Sequence, residues 1–184
     1  MLEQIGDASI AVIQSHGIEG LTFAAVAAEA GLPERTLYRH AANRARLLEI
    51  VWDRLNVQLG MPQIPDNPSG LRDLPRQTFQ GFDRFEALIR ATLHTDAGRG
   101  FRLQTASQRA EAFARALAPV AEKLAAADAE TLAAGMQLLN SAAAWEFLRD
   151  YRGLDGRGAG AVASRLMEWL LRGIETERND GAKK

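Results

Sequence analysis

The 184-residue chain has no cysteine. Disulfides, thiolate zinc sites and cysteine nucleophiles are therefore excluded, and a reducing compartment such as the cytoplasm suits the chain. No apolar run approaches the roughly 20 residues needed to cross a bilayer. The opening segment MLEQIGDASI has no basic stretch ahead of an apolar one, so no secretory leader is expected. An excess of charge is missing too, since 22 Lys and Arg against 23 Asp and Glu leave a net charge of −1. Any affinity for nucleic acid must therefore be sought in local charge. The expectation is a soluble, cytoplasmic protein.

Catalytic signatures are also absent. There is no GxSxG elbow, no HExxH pair and no GxxxxGK[ST] phosphate loop. Gly156, Gly158 and Gly160 imitate a glycine-rich loop, but no strand precedes them and the GxGxxG register fails, so they read as an interhelical turn. His94 with Asp96 could be a base and its orienter, yet a histidine at a helix end is explained by the helix dipole. The chain is not expected to be an enzyme, and no cofactor or metal is called for.

What is present is helix. The composition is 47% hydrophobic, enough for a core without staples. Alanine and leucine recur at helical spacing and sustained period-2 alternation is lacking, so the fold is expected to be all-α. A first helix is expected from about Leu2 to His16, with Ile5, Ala8, Ser9, Val12 and Ile13 on one face and Gly17 as its C-cap. A second starts after Thr22 and ends at Gly31. Pro33 suits the first turn of a third helix, which carries Leu37 and Tyr38. A fourth, about Arg44 to Leu59, buries Leu47, Leu48, Val51 and Leu55. Four of the six prolines fall between Gly60 and Pro75, which predicts a non-helical connection there. Helices are then expected over about 76–95, 103–126, 128–151 and 159–177, with Pro119 kinking or splitting the second of these.

Residues 11–51 carry the functional signal. Ala24, Ala25, Ala27, Ala28 and Ala30 supply small side chains where a third helix would cross the second. Gly31 permits the reversal, and Val26, Leu32 and Leu37 can close a small core, as in a helix-turn-helix. Glu34, Arg35, Thr36, Tyr38, Arg39 and His40 are then left outside, where they can reach base edges and phosphates in a major groove. Between residues 33 and 46, Arg35, Arg39, Arg44 and Arg46 face a single carboxylate, Glu34, whereas the rest of the first 57 residues is acidic. Positive charge is thus focused on the predicted recognition helix and the start of the next.

An apolar helix, Gly, Leu-Thr, Val-Ala, Ala-Gly-Leu, Thr-Leu-Tyr-Arg-His and a later Leu-Leu together resemble the DNA-binding region of the TetR family of bacterial transcriptional regulators. The resemblance covers about residues 2–55, with Gly17, Thr22, Val26, Ala27, Ala30, Gly31, Thr36, Leu37, Tyr38, His40 and Leu48 in register. It implies a DNA site made of Thr22, Pro33, Glu34, Arg35, Thr36, Tyr38, Arg39, His40 and Arg44. Thr36 and the residues before it would approach bases or phosphates, Tyr38 and His40 the backbone, and Arg44 would replace a phosphate-binding lysine. The chain departs from the pattern in three places. Ala41 stands where an aromatic is usual, which is expected to loosen the packing of the third helix on the fourth. Pro33 and Arg35 replace the commoner Ser and Gly, and the family's basic N-terminal arm is missing.

The expected organisation is a helix-turn-helix DNA-binding domain over 1–57, with linking helix 44–59, and a helical ligand-binding and dimerisation domain over 76–178. The last two helices carry Leu132, Met136, Leu139, Ala143 and Phe147 on one side and Leu166, Trp169, Leu170, Gly173 and Ile174 on the other. In the family such a pair forms a four-helix homodimer interface; the same residues could also fill a monomer core. A dimer would set two recognition helices about 34–36 Å apart on double-stranded, pseudo-palindromic DNA. The family's sensor pocket maps onto Phe85, Leu88, His94, Phe101, Phe113, Leu117, Met136, Asn140 and Trp145, each of which also reads as ordinary core. Asn140 stands out, because a buried amide needs a partner. An effector would be small and mostly apolar, with one or two polar anchors. The reading is a ligand-responsive repressor. The alternative is a helical ligand- or partner-binding protein whose helix-turn-helix no longer binds DNA.

Overall fold

The computed structural model describes residues 1–60 and 62–181, which form eleven α-helices and one short 3-10 turn. No strand occurs among the described residues, and none of their helices is long and apolar enough to cross a membrane. The chain divides into two compact units, Met1–Met61 with Arg84–Gln104, and Pro62–Asp83 with Thr105–Lys184.

The first unit opens with α1, Leu2–His16, whose buried face is Ile5, Gly6, Ala8, Ser9, Ile10, Val12 and Ile13. Ser9 is fully buried but satisfied, its hydroxyl donating to the Ile5 carbonyl at 2.7 Å. After Gly17 and a 3-10 turn, Ile18–Gly20, come α2, Phe23–Ala30, and α3, Glu34–His40. Then follows α4, Arg44–Leu59, which the Asn43 side chain caps by accepting from the Arg46 N–H at 2.9 Å. Helices α6, Glu86–His94, and α7, Asp96–Gln104, complete this unit, with α6 against α1 and α7 against α4. Trp52 of α4 is buried beside Phe101 of α7, ring centroids 5.8 Å apart.

An ionic clamp ties α1 to α4. Arg54 donates two hydrogen bonds to Asp7, at 2.6 and 2.9 Å, and Gln58 donates a third. The Arg54 guanidinium, aided by Gln58, holds the Asp7 carboxyl below its ordinary pKa against a smaller opposing effect of burial. A depressed folded-state pKa gives stability that is complete above the unfolded value, near 4, and is lost as pH falls through the folded one. Acid titration of Asp7→Asn is therefore expected to show a shallower loss of stability below pH 4 than the parent. Identical acid midpoints and slopes for the two, followed by circular dichroism, would rule the clamp out as an acid-sensitive tie.

The second unit contains α5, Pro68–Arg84, apart from its last residue, together with α8, Ala106–Ala121, α9, Ala126–Leu139, α10, Ala142–Arg152, and α11, Gly156–Gly181. Its core joins Leu71 of α5, Phe113, Ala116 and Leu117 of α8, Leu132 and Met136 of α9, and Met167 of α11.

Several boundaries differ from those expected. The proline-rich stretch is only half connection, because Asn67 accepts from the Gly70 N–H at 2.8 Å and Pro68 takes the first helical position. The helix expected over 76–95 breaks at Phe85, the junction between α5 and α6. Pro119 neither splits nor bends the middle of α8; it stands in the last turn, which ends at Ala121. The helix expected over 128–151 is two, interrupted at Asn140 and Ser141, with the Ser141 hydroxyl capping α10 by accepting from the Ala144 N–H at 3.2 Å.

The glycine run is not an interhelical turn. It forms the first turns of α11 and lies directly on the α5 backbone. A Cβ built on Gly156 would sit 2.3 Å from the Phe79 carbonyl oxygen, and one on Gly160 would sit 2.7 Å from that of Pro75. With Ala159 and Ala163 fully buried between and beyond them, these residues form the notch that lets the two helices approach so closely. Asp83 locks the same corner, accepting from Trp145 Nε1 at 2.9 Å, from Arg149 at 2.7 Å and from the Gly156 N–H at 2.6 Å.

Candidate nucleic-acid interface

The helix pair α2–α3 is set by local chemistry. Thr22 begins α2, its hydroxyl accepting from the Ala25 N–H at 3.1 Å. Gly31 ends it at φ 63°, a left-handed conformation that an L side chain strains to adopt, and the Leu32 N–H returns to the Ala27 carbonyl at 2.9 Å. Pro33 stands just before α3 as its N-cap rather than within its first turn. Val26 and Leu37 are fully buried between the helices, with Leu32 half-buried. Of the alanines expected at the crossing only Ala27 is buried; Ala25 and Ala30 are half-buried, and Ala24 and Ala28 face solvent.

Seven-residue α3 exposes Glu34, Arg35, Tyr38 and Arg39, while Thr36 and His40 are half-buried. Tyr38 does not stand free. Its ring lies on Phe23 of α2, centroids 4.2 Å apart and planes 1° from parallel, which fixes where the phenol points. Phe23 was not among the sequence candidates, and nothing in its spacing from Tyr38 would have singled it out. An open groove of about 460 Å³ runs alongside, lined by Thr22, Phe23, Glu34, Tyr38 and Arg44 among others.

The four arginines of the segment are not equivalent. Arg44 donates to the Ile18 carbonyl at 2.8 Å, so its guanidinium is held at the groove. Arg46 is engaged with Glu49 at 2.6 Å. Arg35 and Arg39 have no hydrogen-bond or ion-pair partner among the described residues. Ala41, where looser packing was expected, is fully buried at the C-cap of α3, its N–H donating to the Leu37 carbonyl at 2.9 Å. The small side chain is enclosed, so the α3–α4 corner is closed without an aromatic.

The sensor candidates do not fall together in one unit. Phe85, Leu88, His94 and Phe101 belong to the first, where Leu88 is fully buried and His94 is exposed as the last residue of α6. Phe113, Leu117, Met136, Asn140 and Trp145 belong to the second. Phe113, Leu117 and Met136 are part of its core cluster, and Trp145 packs edge-on against Phe82 at 5.8 Å. Asn140, 3% exposed at the end of α9, has no partner for its side-chain amide nitrogen among the described residues.

The apolar residues of the closing helices divide as well. Leu132 and Met136 are core, whereas Phe147 and Tyr151 of α10 and Val162, Leu166, Trp169 and Leu170 of α11 are exposed.

A capped short helix, a left-handed glycine turn and an exposed basic helix define a helix-turn-helix DNA-binding domain. Comparison with known proteins agrees. Residues 5–51 match the family described as bacterial regulatory proteins, tetR family. Over 72 residues the chain is 31% identical to an HTH-type transcriptional repressor, DrrR1, of Streptomyces coeruleorubidus. That alignment covers 39% of this chain and 24% of the relative, so the chain spans about a quarter of that protein's length. Over residues 5–51 the chain thus carries a domain similar to the N-terminal domain of the tetR family.

Proposed function

We propose that the chain is a transcription regulator that binds double-stranded DNA as a homodimer and represses, with release governed by a small, mostly apolar effector. The observation that carries the reading is the outer face of α3, where two uncommitted arginines stand beside a groove holding Thr22, Tyr38 and Arg44. Phosphate contact falls to Arg39, to Tyr38 braced by Phe23, to His40 and to Arg44 braced by the Ile18 carbonyl. The exposed apolar residues of α10 and α11 support pairing of two copies through the last two helices. For the effector, the unpaired amide nitrogen of buried Asn140 offers one polar anchor. Ligand release requires the effector to prefer the DNA-incompetent arrangement of the dimer.

The test is selection of the purified chain on a pool of random duplexes. An enriched inverted repeat is the expected result; no enrichment at low salt would leave the DNA-silent alternative. Arg39→Ala and Arg44→Ala are each expected to weaken binding to all sequences alike. Each removes one phosphate contact from each protomer and should lower the slope of log affinity on log salt by about 2. Unchanged salt slopes in both variants would remove these arginines from the phosphate contacts.

A further inference from the structure

We infer that Arg35 reads a guanine in each half-site, so that the operator of this chain carries a G·C pair at the position facing residue 35. The inference rests on the proposed DNA binding and adds to it the identity of a base.

The orientation of α3 supplies the first argument. Leu37 is fully buried and so marks the inward direction of the helix. At about 100° per residue, Arg35 and Arg39 lie about 160° from Leu37 on either side, which makes them the outermost ridge. Glu34 and Tyr38 lie on the flank that lines the groove with Thr22 and Arg44. The groups suited to backbone contact are therefore on the side of the helix, and the ridge entering a major groove deepest is Arg35 and Arg39.

Commitment is the second. The Ile18 carbonyl holds Arg44 beside the groove and Glu49 engages Arg46, while Arg35 has no partner among the described residues and is exposed. Nothing within the domain needs to be broken for its guanidinium to reach a base.

Chemistry is the third. A guanidinium presents five donors and no acceptor, so it cannot accept a hydrogen bond from the amino groups of adenine or cytosine. Its fork matches the O6 and N7 acceptors of guanine. Arg35, the second residue of α3, stands at the end of the helix that approaches base edges. Arg39 is one turn, about 6 Å, further along, where a recognition helix moves out toward the backbone.

The experiment repeats the random-duplex selection with the full chain as parent, Arg35→Ala and Arg35→Gln. The parent is expected to enrich an inverted repeat with a fixed guanine in each half. Arg35→Ala should keep the repeat but lose discrimination at that single position by about tenfold to a hundredfold. Arg35→Gln should shift the preference there from guanine toward adenine, which glutamine matches through N6 and N7. A loss spread evenly over all sequences, with the guanine still selected, would make Arg35 a phosphate contact and overturn the inference. An Arg35→Gln selection identical to that of the parent would overturn it too. A parent that enriches nothing would fail the proposed function itself, which separates the two failures. Thermal melting of each variant, expected to match the parent because Arg35 is exposed, excludes misfolding as the cause.

Discussion

Gly156→Ala is expected to destabilise the second unit by about 2–4 kcal/mol, opposite in sign to what the same change does in an ordinary helix. In an exposed helix interior, alanine in place of glycine gains about 1 kcal/mol. Here the added methyl would meet the Phe79 carbonyl oxygen at 2.3 Å and its carbonyl carbon at 2.8 Å. Those are backbone atoms within α5, so they cannot swing aside as a flexible side chain would. Relief requires α11 to lift from α5, which also stretches the bond from the Gly156 N–H to Asp83. Gly173, further along the same helix, has nothing within 4 Å of its would-be Cβ. Gly173→Ala should therefore raise the urea midpoint while Gly156→Ala lowers it. Equal midpoints for the two variants would show that the close approach of α11 to α5 is not a feature of the folded chain.

Asp83→Ala is expected to cost about 2–4 kcal/mol, although it leaves only a small void. The carboxylate gathers donors from α10 and from the start of α11 onto the end of α5: the indole of Trp145, the guanidinium of Arg149 and the Gly156 amide. Asp83 and Arg149 keep only 29% and 24% of their side chains exposed, so the pair is screened less than a surface bridge. Arg149 also lies over the Trp145 ring at 5.5 Å, so loss of the carboxylate should loosen indole and guanidinium together. Asp83→Asn keeps an acceptor oxygen but turns an amide toward one donor, and should fall between the alanine variant and the parent. Denaturant unfolding followed by near-ultraviolet circular dichroism reads both stability and the tryptophan environment. An alanine variant within 0.5 kcal/mol of the parent would mean that solvent replaces the carboxylate at little cost.

The first four helices were legible because their ends are written in neighbouring residues. Gly17, Thr22, Gly31 and Asn43 each act on an adjacent turn, and the hydrophobic period fills in between. Beyond residue 60 the local signals were present but read with the wrong weight. Proline density suggested a connection, while the pair Asn67–Pro68 is a helix start. Asn140–Ser141 is a stop and a cap inside an apolar stretch that looked continuous. The glycines at 156 and 160 could not be interpreted from sequence, because their role depends on which backbone crosses them, and that partner lies some eighty residues away.

The candidate DNA site was legible as a set of residue types and illegible as a set of states. Sequence places four arginines in one short segment; only the fold distinguishes Arg44 and Arg46, which have internal partners, from Arg35 and Arg39, which have none among the described residues. The stacking of Tyr38 on Phe23 likewise follows from the angle between α2 and α3, which no spacing rule contains.

The first unit is assembled from two separate stretches, with residues 62–83 diverted to the second unit between them. A ribosome releases the chain in order at about 5–20 residues per second. The helix-turn-helix segment therefore emerges before α6 and α7, the helices that pack against α1 and α4. Its fold is complete only once Gln104 has left the exit tunnel, after α5 of the other unit has already been made. A nascent chain arrested one tunnel length past residue 60 should expose the apolar faces of α1 and α4 to chaperones, and one arrested beyond the tunnel length past residue 104 should conceal them.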